Sequence, residues 1–144
     1  MKLFTIGFTQ KTAPQFFELL IQNKVRTIFD VRLSNKSQLA GFTKESDLPY
    51  FLDKIAGITY IHWTEVATEK ELLKQWRNKE ISWPEYEKQY MAMLKKRGIS
   101  DMYTPEQLDH GCLLCSEPTP EHCHRRLIAE HLKEKNPDIE IIHL

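Results

Sequence analysis

The sequence predicts an α/β fold built on a mostly parallel sheet of about five strands. Three observations carry that expectation. Short apolar or β-branched runs alternate with amphipathic segments, helix-start and helix-stop signals separate them, and neither an internal repeat nor a low-complexity stretch interrupts the pattern. Alternation of this kind is what right-handed βαβ crossovers produce.

Lys2 to Gly7 reads as the first strand. Thr12 and Gln15 stand at capping-box spacing, so a helix is expected from there to about Asn23. Arg26 to Val31 is a second strand, a β-branched and aromatic run that ends at a charged tip. Arg32 to Glu45 is rich in Ser, Asn, Lys and Gly and reads as loop. Leu48, Phe51, Leu52 and Ile55 repeat at helical spacing within Asp47 to Ala56, Gly57 supplies the stop, and Ile58 to Trp63 forms a third strand.

The middle of the chain turns helical. Thr68 with Glu71 and Ser82 with Glu85 both have capping-box spacing, the second with Pro84 in its first turn, which predicts helices over Glu69 to Asn78 and Trp83 to Arg97. A short helix near Pro105 to Leu108 leads into the strand Gly111 to Cys115. Cys123 to Lys135 is helical, Asn136-Pro137 stops it, and Ile139 to His143 is the last strand.

A chain of 144 residues is long enough for one core, so residues 1–144 are treated as a single domain. Twenty basic side chains balance twenty acidic ones, leaving no global field to draw it onto nucleic acid or an anionic membrane. Leu3 to Phe8 is too short for a signal peptide, and nothing approaches a membrane span. With an odd count of three cysteines, this points to a reducing cytoplasm in which thiols serve packing, metal binding or chemistry.

The densest chemistry lies in the sixteen residues Gly111 to Arg126, which hold every cysteine together with His122, His124 and the pair Arg125-Arg126. This cluster falls where a strand tip meets a helix start, the usual ligand position in open α/β sheets. Strand alternation sends Cys115 and Cys112 to opposite faces, and puts Glu117 on the face of Cys115 if the extended conformation persists past the tip. A free thiol has a pKa of about 8.5, and a helix N-terminus, His122 or His124, and Arg125 would each favour the Cys115 thiolate. The same amides and guanidinium suit an oxyanion or phosphate. Equally, Cys115 could be a wall of a binding site, and Cys112 is expected to be a small buried hydrophobe.

Cys112-x-x-Cys115 followed by His122-x-His124 also has the ligand types of a zinc site. Leu113-Leu114 argues against it, because an extended segment sends the two sulfurs to opposite faces. Asp30-Val31-Arg32 brings a carboxylate and a guanidinium to the same rim, where Arg32 suits phosphate or carboxylate and Asp30 could instead serve as its ion-pair partner. Gly7 and Thr9 close the first strand with a close backbone approach and a hydroxyl, although Gly7 could equally serve a tight turn. Ser34, in the loop that follows Arg32, joins the expected binding set. Trp63, Trp76, Trp83, Tyr86 and Tyr90, interleaved with lysines and arginines, are expected to pack the core rather than stack bases, and His62, His110, His131 and His143 carry no site signal.

With these residues in view, the chain resembles the domain of unknown function 488 family, through Thr5-Ile6-Gly7-Phe8-Thr9, Asp30-Val31-Arg32, Leu113-Leu114-Cys115-Ser116-Glu117 and Cys123-His124-Arg125. The resemblance, which extends to Gly41-Phe42 and Tyr60, implies a three-layer α/β/α fold whose motifs line one rim. Many relatives carry His where this chain has Phe8, which implies a more apolar pocket, and the proline frequent after Arg32 is absent. A fainter similarity to rhodanese and cysteine phosphatase folds is an analogy for thiolate stabilisation only, since nine residues separate Cys115 from Arg125.

The functional expectation is a small enzyme acting on a phosphate- or carboxylate-bearing small molecule, nucleotides included. Cys115, Glu117 and His124 would be catalytic, and Gly7, Thr9, Asp30, Arg32, Ser34, Cys123 and Arg125 would bind substrate. The rival is a non-catalytic module that binds nucleotide or nucleic acid at the same rim, and the third reading is a zinc protein. No cofactor motif is found, a small anionic ligand is the expected partner, and nothing in the sequence speaks to oligomeric state.

Overall fold

The computed structural model describes residues 1–32, 41–117 and 119–144. Its strands are β1 (Lys2–Gly7), β2 (Thr27–Asp30), β3 (Thr59–His62), β4 (Gly111–Cys115) and β5 (Glu140–His143), all parallel and in the order β3-β2-β4-β1-β5. The helices are α1 (Ala13–Gln22), α2 (Leu48–Ala56), α3 (Lys70–Arg77), α4 (Trp83–Lys96), α5 (Pro105–Leu108) and α6 (His124–Lys135). Register aligns Gly7 with Cys115 and Asp30 with Leu114, so three strands end at one rim.

Two cores flank the sheet and make three layers. Phe16 and Leu20 of α1 and Leu48 and Leu52 of α2 pack on Phe4, Ile6, Ile28, Cys112 and Leu114. Leu72 of α3, Tyr90 of α4, and Leu127 and Ile128 of α6 pack on Leu3, Phe29, Leu113 and Cys115. Each fully buried Leu, Ile or Phe contributes roughly 1.5–3 kcal/mol. Strand β4 is buried along its whole length and reads as a continuous apolar run, as a central parallel strand should.

Connectivity explains why the cluster sits at a rim. Crossovers from β1 to β2 and on to β3 move toward one edge and carry α1 and α2 on one face. Crossovers from β3 to β4 and on to β5 move the other way and carry α3, α4 and α6 on the opposite face. Opposite directions on opposite faces preserve a single crossover hand. Past their ends β4 and its neighbours β1 and β2 therefore send the chain to different sides, and a crevice opens at the tip of β4.

Local signals act mostly as expected. Thr12 and Gln15 form a reciprocal capping box, as do Thr104 and Gln107 ahead of α5. Gly57 and Gly98 end their helices in the left-handed region, at φ 63° and 66°. Two caps differ. Glu69, not Thr68, is the cap of α3, because the Thr68 hydroxyl accepts from Tyr86 at 3.2 Å instead. Ser82 accepts from the Glu85 amide at 3.3 Å, but the Glu85 carboxylate turns to Gln89 and the box stays half made. The segment expected to be loop contains a 3₁₀ turn at Gly41–Thr43, and residues 33–40 lie outside the described residues.

Candidate active site at the tip of β4

Cys115 closes β4, and its sulfur lies on the α6 side of the sheet, while Cys112 lies on the other. The extended strand dictates this separation. The Cys115 carbonyl accepts from the Phe8 amide at 3.2 Å and the Ser116 carbonyl from the Thr9 amide at 3.3 Å, which stitches the loops after β1 and β4 together. The Cys115 thiol is held below its ordinary pKa, first by a hydrogen bond from the Cys123 thiol, against the cost of burial, with help from the backbone amides of Glu117 and Ser116 and the charge of Arg125. Cys123 is pushed up in turn, because it donates to Cys115 and is itself buried. Burial pushes Cys112 up as well. Only Cys115 thus favours the thiolate.

His124 does not add the positive charge expected of a histidine beside Cys115. Burial, with the charge of Arg77 behind it, lowers His124 to about 4, so its ring is neutral at pH 7 and supplies no positive charge. Its Nε2 meets the Tyr86 hydroxyl, which in turn donates to Thr68. Burial raises Tyr86 to about 12 and keeps that phenol protonated. His124 is therefore oriented as a neutral ring that can accept or relay a proton.

Arg32 leaves the end of β2 and is gripped by Asp30 through Nε and Nη2, both at 2.8 Å, and by the Thr43 carbonyl at 2.7 Å. Its guanidinium carbon stands 5.3 Å from the centre of the Phe8 ring. Both residues of the pair are buried, and Arg32 Nη1 has no hydrogen-bond partner among the described residues. Asp30 is committed to Arg32 and to Tyr60, so it orients the guanidinium and has no oxygen turned to a ligand.

Arg125 takes a different place from the one expected. It is fully buried, its Nη1 donates to the Glu117 carbonyl at 2.5 Å, and Nε and Nη2 have no partner among the described residues. Gly7 is required by this packing: a Cβ there would collide with the Glu117 carbonyl and the Arg125 guanidinium. Arg125 thus braces the loop after β4 from behind and stabilises charge on Cys115 through space.

A cavity of about 310 Å³ opens above the sulfur. Its walls include Arg32, Cys115, Glu117, Cys123 and His124, five of the residues singled out from sequence. Trp76, Arg77 and Trp83 also line it, although their pattern in the sequence predicts a packed middle. Trp83 stacks on Tyr86 at 5.1 Å, and His122 stands 4.8 Å from Trp83 and 5.8 Å from Trp76. The aromatic residues do pack as expected, but their outer edge is also cavity wall. No sequence signal marks Arg77; the packing of α3 on α4 brings it to the cavity that Cys115 lines.

Thr9 turns away: its hydroxyl donates to the Ser116 carbonyl, and it borders a separate hollow of about 560 Å³ beside Lys11 and Gln15. Glu117 is exposed at the mouth, past the end of the extended strand, and Ser34 lies outside the described residues. Among the described residues no three His, Cys, Asp or Glu side chains converge as a metal centre would need.

A family model described as domain of unknown function DUF488 matches residues 12–132, a span that includes Asp30, Arg32 and the whole cysteine cluster. The chain belongs to the DUF488 family. Strand β1 with Gly7 and Thr9 precedes the matched DUF488 segment, although it supplies the loop that packs on Glu117. No curated protein and no solved structure matches the chain. No described helix is long and apolar enough to cross a membrane.

Proposed function

We propose that the chain is a small enzyme that uses the Cys115 thiolate as a nucleophile on a phosphate- or carboxylate-bearing small molecule, with nucleotides the first class to screen. The observation that carries this reading is one sulfur at the end of β4 that shares a cavity with Arg32, Arg77, Glu117, Cys123 and His124, its thiolate favoured by Cys123, by the amides of Glu117 and Ser116 and by the charge of Arg125. Stabilised thiolates and oriented guanidinium groups are the parts that nucleophilic transfer needs. Arg32 and Arg77 would hold the anion, and neutral His124 and the carboxylate of Glu117 would handle protons. As sulfur bonds to the electrophilic centre, the bond to the leaving oxygen breaks, and that oxygen takes a proton from solvent at the open mouth of the cavity. A reducing, cytoplasmic setting belongs to the same reading, since the reactive group is a free thiol.

The test is a panel of hydrolase, transferase and thiol-exchange substrates, run with the protein and with Cys115→Ser. Activity that disappears in the variant supports the reading, and a variant that retains every activity overturns it. Inorganic phosphate and AMP should also slow alkylation of Cys115 in the parent and fail to do so in Arg32→Gln. The second reading, a binding module, is favoured by the edge of Trp76 and Trp83 in the cavity wall. It requires Cys115 to alkylate with a midpoint at or above that of a free thiol.

A further inference from the structure

We propose that Cys123 is the resolving thiol for Cys115, and that the two form a dithiol able to reduce small disulfides admitted to the cavity. This rests on the reading of Cys115 as a nucleophile and adds a second reacting residue to it. Both cysteines line the same cavity, and both belong to the core beneath α6. Cys123 is the N-cap of that helix in extended conformation and makes no capping bond with its side chain, and its thiol is the first influence on the acidity of Cys115. Cys112 belongs to the core on the far side of the sheet and cannot compete.

The chemistry balances without a further reagent. The Cys115 thiolate attacks one sulfur of a disulfide RSSR, the S–S bond breaks, and RS⁻ departs, leaving Cys115 as a mixed disulfide. Cys123 then attacks the Cys115 sulfur, its proton passes to the departing thiolate, and RSH leaves. One disulfide has been reduced by two electrons and the Cys115–Cys123 pair oxidised by two.

Electrostatics order the two steps. While Cys115 carries charge, that charge and the hydrogen bond to it keep the Cys123 proton in place. Once Cys115 is capped, those two causes vanish; burial still opposes the Cys123 thiolate, while the Arg125 amide and guanidinium still favour it. Cys123 therefore becomes more nucleophilic once Cys115 has reacted.

The experiment treats the full chain with oxidised glutathione, quenches with iodoacetamide over a time course, and reads intact mass and a non-reducing peptide map. The parent should pass through a transient glutathione adduct on Cys115 and end with a Cys115–Cys123 disulfide and a free Cys112. In Cys123→Ser, whose hydroxyl still donates to Cys115, the adduct should persist roughly tenfold longer or more. The parent time course stands alone if that variant does not fold. A parent that keeps glutathione on Cys115 overturns the resolving role and leaves the nucleophile intact. Pairing through Cys112 also overturns it, and a Cys115 that never reacts overturns both readings.

Discussion

The Tyr60 hydroxyl donates a 2.6 Å hydrogen bond to Asp30 Oδ2, the same oxygen that Arg32 Nη2 contacts at 2.8 Å. Neighbouring strands β3 and β2 supply the phenol and the carboxylate, with Tyr60 opposite Ile28 in register. The sheet itself therefore builds the support for Arg32.

Removing the carboxylate charge leaves a buried guanidinium without its counter-ion. Asp30→Asn should cost about 3–5 kcal/mol in chemical denaturation, the range for breaking a buried pair. Tyr60→Phe, which removes one hydrogen bond, should cost about 1 kcal/mol. Equal losses in the two variants would show that the charge of Asp30 is not what holds Arg32.

Alkylation followed against pH, cysteine by cysteine, should give Cys115 a midpoint well below the free-thiol value of about 8.5. Cys112 should stay unreactive in the folded protein, since it is fully buried. Cys123→Ala removes the largest cause of the low value and should move the Cys115 midpoint upward, whereas Cys123→Ser should keep most of it. An identical midpoint in the Ala variant would mean that backbone amides alone set the acidity.

Burial keeps His124 neutral in the fold down to about pH 4, while an unfolded chain protonates it near 6.5. The unfolded state thus binds the extra proton between those values, and stability falls as pH drops through that window, by up to about 3 kcal/mol. Denaturation midpoints for the protein and His124→Gln should converge with acidification below pH 6.5, because only the parent carries this penalty. Parallel profiles would show that the ring protonates freely in the fold.

Gly7→Ala forces a methyl group into the Glu117 carbonyl and the Arg125 guanidinium. Displacement of a packed backbone segment predicts a loss of about 1–3 kcal/mol. The loop after β4 carries the amides that face Cys115, so the alkylation midpoint should rise in the same variant. A stability loss with an unchanged midpoint would separate the brace from the thiol.

Much of the architecture was legible because its causes are local. Capping pairs such as Thr12 with Gln15 act across three residues, and the apolar run Leu113-Leu114 announces a buried strand without reference to anything distant. Thr68 misled because its hydroxyl had a second partner, Tyr86, eighteen residues away along the chain. The site was half legible: Cys115, Arg32 and His124 stand in recognisable motifs, whereas Arg77 and Trp76 sit in a helix whose sequence says nothing of what it faces.

Strand periodicity alone decided that Cys115 and Cys112 would look to opposite sides, since side chains of an extended backbone must alternate. Packing alone decided that Cys123 would donate to Cys115, that Arg125 would be sealed behind the loop while Arg32 reaches the cavity, and that His124 would be neutral. Proton affinity and hydrogen-bond partnership depend on distance and desolvation, and both exist only once α6 has docked against the tip of β4.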